Sequence, residues 1–452
     1  MEAKSTKEGL KRVIGVQGFA ATIINNTIGS GIYVLPAVVS LQMGAAGTLG
    51  YLFCGIMLVT IMLCYTEIAS KISATGGSYI YVETAFGPFA GFLVNCLFLF
   101  GWGVLGSAAM VNVIADSLAV IFPVFTNPVV RGTLYFVLLG TMALVNILGA
   151  KQGVRFVQYL TVIKLLPLVA IVLFGFSHIH TGNLYWEHFP SIKTTGETVL
   201  ILFWAFAGFE TSLSVSGEIE NPRRTIPRGI LIGAGIVFIF YVLIQVVVQG
   251  VLGSHIGAYK NAPLAAVANT IVGPVGATLL LVATMISCFG NTSGDVMATP
   301  RLLFAGAKDG LFPRFLGKVH PKFATPYVAV IIYASLIFIL AVSGGFRELA
   351  ILASAALLII YLGVVLAMLK LRSKKVRGDE DPFKVPGGVI IPFIAIAAII
   401  WLLVSLSFGE MKYTAIFIAI ICLIYFLMQL FKAKKPKSGV PPELSQNANE
   451  TI

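Results

Sequence analysis

Two glycine-interrupted segments and three ionisable residues of this chain stand inside long apolar runs, where each needs a polar partner. The first segment reads Asn25-Asn26-Thr27-Ile28-Gly29-Ser30-Gly31-Ile32-Tyr33-Val34-Leu35-Pro36, and the second reads Trp204-Ala205-Phe206-Ala207-Gly208-Phe209-Glu210. A helix broken at membrane depth leaves N–H and C=O groups that lipid cannot satisfy, so such breaks persist only where the freed groups meet a cavity, a ligand or an ion. The chemistry this offers is non-covalent. A half-helix beginning after Gly31 presents its N–H groups as the positive end of a dipole, which suits a carboxylate. Gly29, Ser30 and Gly31 admit close backbone approach, and Ser30 adds a hydroxyl. Asn26 and Ile28 lie at the same depth. In the second segment, carbonyls around Trp204, Phe206, Ala207 and Gly208 suit an ammonium group. Together the breaks match the two charges of an α-amino acid, with Trp204 and Phe209 as bulk to close over it. The plain alternatives are a glycine pair for helix packing and aromatics that fill the bundle.

The ionisable residues are Lys164, Glu210 and Asp295. A charged side chain at the centre of a span costs about 2.5–3.5 kcal/mol on insertion scales and marks function by default. Lys164 could carry a proton, stand as a fixed charged strut, or snorkel toward the nearer surface. Glu210 closes the second break. Asp295 could pair with a cation, carry a proton, or belong to a structural pair, since a buried charge needs a partner in any case. Glu67 sits at the inner end of an apolar run and reads as structural or gating.

The elements that must position these residues are membrane helices. Apolar runs predict spans at about 13–40, 44–70, 88–122, 130–149, 156–176, 196–216, 228–252, 276–300, 326–343, 346–369, 388–408 and 412–431. Of the 31 Lys and Arg, 25 fall in segments on one side and 5 on the other, with Lys164 in neither set. The positive-inside rule therefore puts both termini in the cytoplasm. The breaks lie in span 1 and span 6, the first of each group of five. Interruptions at matching places in two halves of odd span number point to an inverted repeat with a site at the midplane. The domains expected are an N-terminal tail at 1–12, a first repeat at 13–176, a second at 196–370, two further spans within 388–431, and a C-terminal tail at 432–452.

Composition excludes other classes. The chain is 58% hydrophobic and 11% charged, against roughly a quarter charged in soluble domains. Its net charge of +12 follows topology, so no nucleic-acid partner is expected, and attraction to anionic lipid is secondary. The five cysteines fall inside spans and match no zinc spacing; no metal or cofactor is expected. The histidines lie in loops and read as solvated. Zinc-protease, nucleophile-elbow, phosphate-loop and dinucleotide motifs are missing from the sequence, which argues against an enzyme.

Several motifs, in order, resemble the amino-acid/polyamine/organocation permeases. They are the first break through Pro36; Glu67-Ile68-Ala69-Ser70 with Gly76-Gly77-Ser78-Tyr79; the second break; Glu220-Asn221-Pro222-Arg223-Arg224; and Ala307-Lys308-Asp309-Gly310-Leu311-Phe312-Pro313. The resemblance implies the leucine-transporter-type fold: an all-α polytopic membrane protein of twelve helices, five plus five inverted and two more, with spans 1 and 6 broken. It implies secondary transport of an amino acid or amine. Trp204 falls at an aromatic gate, Glu210 at a gating or coupling glutamate and Asp295 near a substrate-facing position that is often not acidic. In sodium-independent relatives a lysine at the place of Lys164 puts its ammonium where sodium would bridge spans 1 and 8, which implies contact with carbonyls near Ile28 and Gly29. The expectation is a sodium-independent carrier working by proton symport or exchange in the inner or plasma membrane. A polyamine or cationic amino-acid exchanger is the runner-up, and a sensor that binds without translocating comes third. Oligomeric state is left open.

Overall fold

The computed structural model describes residues 14–72, 77–148, 153–186, 189–213, 219–308, 312–372 and 383–433, with side chains for all of these except 153–163 and 431–433. The N-terminal tail, the C-terminal tail from 434 onward, Ala74-Thr75-Gly76 and Asp309-Gly310-Leu311 lie outside the described residues. Regular structure among the described residues is helical, apart from an isolated bridge between Ile14 and Ile219.

Span 1 is two helices, α1 (Val16–Thr27) and α2 (Gly31–Met43). Span 2 is α3 (Gly47–Lys71), followed by a short helix α4 (Ser78–Phe86). Span 3 runs from α5 (Pro88–Cys96) through a π-helical stretch, Leu97–Val104, into α6 (Leu105–Ile121). Spans 4 and 5 are α7 (Pro128–Ile147) and α8 (Gly153–Gly175). Span 6 is again split, into α9 (Ile192–Phe206) and α10 (Phe209–Ser212). Span 7 is α11 (Pro222–Leu252), then α12 (Pro263–Val272) precedes span 8, α13 (Pro274–Lys308). The last spans are α14 (Tyr327–Ser343), α15 (Phe346–Leu371), α16 (Ile390–Val404) and α17 (Phe408–Ala433).

By length and composition, eight stretches among the described residues can cross a membrane, and shorter apolar helices stand at spans 5, 9 and 11. The chain is a polytopic helical membrane protein. The structure adds two helices to the expected plan. α4 lies between expected spans 2 and 3, and α12 is a ten-residue apolar helix outside every expected span. At 1.5 Å per residue, α12 is about half the length that crosses the hydrocarbon core.

Local chemistry sets several boundaries. Asn127 caps α7 by accepting from Val129 N at 2.8 Å, with Pro128 in the first turn. Ser191 caps α9 by accepting from Thr194 N at 3.1 Å. α11 starts at Pro222, six residues before the expected span: Asn221 takes a left-handed φ of 43° that asparagine tolerates, and proline needs no N–H partner at a helix start. The core encloses the two split spans. α1 packs on α11, α2 on α9, and α13 on α6 and α8.

Candidate functional site

The two breaks are built against each other. Span 1 leaves the helix at Ile28, whose ψ of 94° is extended, and resumes at Gly31. Span 6 leaves it at Ala207, with ψ 159°, and turns at Gly208, whose φ of 118° calls for glycine. A Cβ on Gly31 would stand 2.7 Å from Ala205 Cα, and one on Gly208 would stand 2.5 Å from Asn26 O. The glycine after each break therefore packs on the chain before the other. This reciprocity is what two antiparallel spans crossing at their breaks require. A Cβ on Gly29 would meet side chains instead, Asn291 Nδ2 at 3.0 Å and Met110 Cε at 3.5 Å.

The freed carbonyls of span 1 are met from outside the span. Lys164, 3% exposed, donates from Nζ to Asn25 O at 2.8 Å and Ile28 O at 2.9 Å. Among the described residues no carboxylate pairs with Lys164, so its charge is met by backbone dipoles. Tyr33 of α2 donates to the Lys164 carbonyl at 2.9 Å. Side chain and main chain of one residue thus hold opposite halves of span 1. On α11, the Tyr241 hydroxyl lies 3.1 Å from Thr27 O and 2.9 Å from Ala205 O, its proton shared between the two breaks.

Span 6 is closed largely by its own residues. Glu210 Oε2 accepts from Gly208 N at 3.0 Å and from Tyr361 OH at 2.6 Å. Its Oε1 is buried with no hydrogen-bond partner among the described residues. Asn26 donates to Thr211 Oγ1 and Ser212 Oγ, both at 3.0 Å, so its amide straps α1 to α10. Among the described residues, no backbone N–H bonds to the Phe206 or Ala207 carbonyl.

Aromatic rings pack on both sides of the crossing. Trp204 Nε1 donates to Ser30 Oγ at 3.1 Å, beside the start of α2. Its ring lies 5.1 Å from Trp102 in the π-helical stretch and 6.3 Å from Phe346, and a Cβ on Gly106 would touch it at 3.1 Å. The π-helical stretch, a form frequent at functional positions, brings Trp102 to the ring, and the start of α6 brings Gly106. Phe209 packs away from this ring, 5.3 Å from Tyr65 and 5.6 Å from Tyr361.

Asp295 lies on α13, one turn beyond Asn291. Its Oδ2 accepts from Ser107 at 2.6 Å and Tyr333 at 2.5 Å, and its Oδ1 from Thr299 at 2.6 Å. Among the described residues no Lys or Arg pairs with it. The fully buried Glu67 does have a cation: its Oε2 accepts from Arg372 Nη2 at 2.8 Å and from Val385 N at 2.7 Å. Lys71 donates to the Leu371 and Arg372 carbonyls at the end of α15.

Residues that sequence reasoning missed are mostly hydroxyls: Tyr33, Tyr241, Tyr361, Tyr333 and Ser107. Their one signal is a polar group repeated in an apolar run, which tyrosine also gives when it merely packs.

Comparison with known proteins bears on the whole chain. A family model described as amino acid permease matches residues 14–444. The chain is similar to a serine/threonine exchanger of Bacillus subtilis (strain 168), 29% identical over 410 residues, covering 88% of this chain and 91% of the relative. It is 26% identical over 450 residues to a branched-chain amino acid permease of the same organism, covering 94% of each. It is 28% identical over 312 residues to a cadaverine/lysine antiporter of Escherichia coli (strain K12), covering 68% of this chain and 69% of that one.

Proposed function

Because the chain belongs to the amino acid permease family, we propose that it carries an α-amino acid across the cytoplasmic membrane by alternating access around the crossing of α1/α2 and α9/α10. The observation that carries this reading is the reciprocal contact of the two breaks. It sets the N–H groups at the start of α2 at the depth of the Phe206 and Ala207 carbonyls, which accept no backbone N–H among the described residues. A zwitterion's carboxylate suits the first and its ammonium the second. Trp204 covers the site on one side. Lys164, Glu210 and Phe209 are the coupling or gating group, and residues 13–176 and 196–370 are the inverted repeats. Both tails face the cytoplasm. Such a protein is a carrier and not an enzyme.

Transport is independent of sodium. A sodium ion needs oxygen ligands, and the Asn25 and Ile28 carbonyls already hold the Lys164 ammonium. A second cation beside it would meet like-charge repulsion in a medium of low dielectric constant. Proton symport and amino-acid exchange both fit. Exchange of a cationic amino acid or polyamine is favoured by one observation, a carboxylate at Asp295 that has no basic partner among the described residues. The test is uptake of labelled amino acids into proteoliposomes with and without sodium. Sodium-driven uptake would overturn the role given to Lys164. Tight binding without flux would make the protein a sensor.

A further inference from the structure

Asp295 is surrounded by donors. Hydroxyls from three spans point at one carboxylate: Ser107 from α6, Thr299 from α13 and Tyr333 from α14, at 2.5–2.6 Å. Such lengths are those of hydroxyls bonded to a charged oxygen. Three neutral hydroxyls solvate a negative charge without cancelling it, and Asp295 is half-buried.

Two helices independently fix where this carboxylate stands. On α13, Asn291 faces Gly29, and Asp295 is four residues further on. On α6, Met110 faces Gly29, and Ser107 is three residues back. A step of three or four residues stays on one helix face and moves about 4.5–6 Å along the axis. The two steps converge, because Ser107 and Asp295 are bonded to each other. Gly106, next to Ser107, lies under the Trp204 ring. The carboxylate is therefore about one helical turn from Gly29, on the flank of the proposed amino-acid site. In lysine, roughly 6 Å of extended chain separates the α-carbon from the terminal nitrogen.

We propose that Asp295, with Ser107 and Tyr333 holding its carboxylate, is the subsite for the positively charged side-chain end of the substrate, so that the substrate is a linear basic α-amino acid. This rests on the transport function proposed for the same site. The basic end meets a carboxylate that has no basic partner among the described residues, while the α-carboxylate stays at the start of α2. A neutral side chain of equal length would leave that charge without a partner, which is the kind of mismatch that discriminates strongly.

The experiment compares lysine with norleucine, which keeps the chain and lacks the terminal ammonium. Full-length protein in proteoliposomes is expected to prefer lysine, and Asp295→Asn to lower the lysine-to-norleucine flux ratio by about thirtyfold or more, the usual loss when a buried charge pair is truncated. Ser107→Ala, which keeps the charge and loosens it, is expected to lower the ratio about fivefold. It also serves where Asp295→Asn does not fold. A protein that only used Asp295 to bolt three spans together would lose flux of both amino acids alike. Equal or better norleucine flux in the unmodified protein overturns the inference and leaves the carrier standing, as does a ratio unmoved in a folded Ser107→Ala. Uptake of diamines without lysine overturns the assignment to an amino acid. No flux of any amino acid or amine overturns the carrier reading itself.

Discussion

The two breaks solve one problem in different ways. Span 1 relies on other helices: Lys164 of α8 holds the Asn25 and Ile28 carbonyls, and Tyr241 of α11 reaches Thr27. Span 6 relies more on itself: Glu210 caps the Gly208 N–H two residues away, steadied by Tyr361 of α15, and Tyr241 also reaches Ala205 O. A break capped from outside has a shape that depends on where its neighbours stand. A break closed by a residue of its own span depends on them less. The difference is that three bonds to the span 1 break come from α8 and α11, whereas the turn of span 6 at Gly208 is closed by a residue of the same span.

The most damaging way to probe this contrast is at the crossing that both breaks share. Gly208→Val would force a Cβ against Asn26 O and strain a left-handed backbone, at a cost on the order of 3 kcal/mol. The expected outcome is no measurable flux and a lowered unfolding temperature in detergent; normal flux would dissolve the reciprocal contact as an explanation. Lys164→Ala comes next. It leaves two buried carbonyls without a donor, at about 1–3 kcal/mol each, so uptake should fall about a hundredfold. Retained uptake would mean that span 1 does not need its outside cap.

Glu210→Gln should be milder, because an amide oxygen still accepts from Gly208 N and Tyr361. Exchanging a charged for a neutral acceptor is worth about 1 kcal/mol, which predicts flux within roughly fivefold. A loss as deep as that of Lys164→Ala would give Glu210 a part in coupling beyond its cap. Smallest of all is Tyr241→Phe. It removes one shared hydroxyl, for about 1 kcal/mol, and should shift the unfolding temperature by a few degrees while flux persists. A large loss there would tie the two breaks together more tightly than the contrast allows.

The breaks and Lys164 were legible because each violates the rule of its surroundings: glycine and serine in an apolar run, an ammonium within a span. What surrounds them was not. Asn26 read as a contact for a ligand, yet its amide is tied to Thr211 and Ser212, a pairing across 185 residues of chain that no local pattern encodes. Gly31 read as room for a carboxylate. It is also the point where α2 touches Ala205, since close helix approach and close ligand approach use the same residue type. Phe209 read as a lid beside Trp204, and the turn at Gly208 sends it to Tyr65 instead. Short helices such as α12 escaped because a ten-residue apolar run fits a loop as well as a helix.

Glu67 has a consequence for engineering. One carboxylate oxygen holds both Arg372, where α15 ends, and the Val385 N–H that precedes α16. The chain is thereby held to one carboxylate on both sides of the segment between them. Loop-closure entropy grows only slowly as a loop lengthens, by about 0.6 kcal/mol per doubling. A fluorescent reporter inserted between Arg372 and Val385 is expected to leave both bonds to Glu67 in place, so the carrier could be followed in cells without a fusion to either tail.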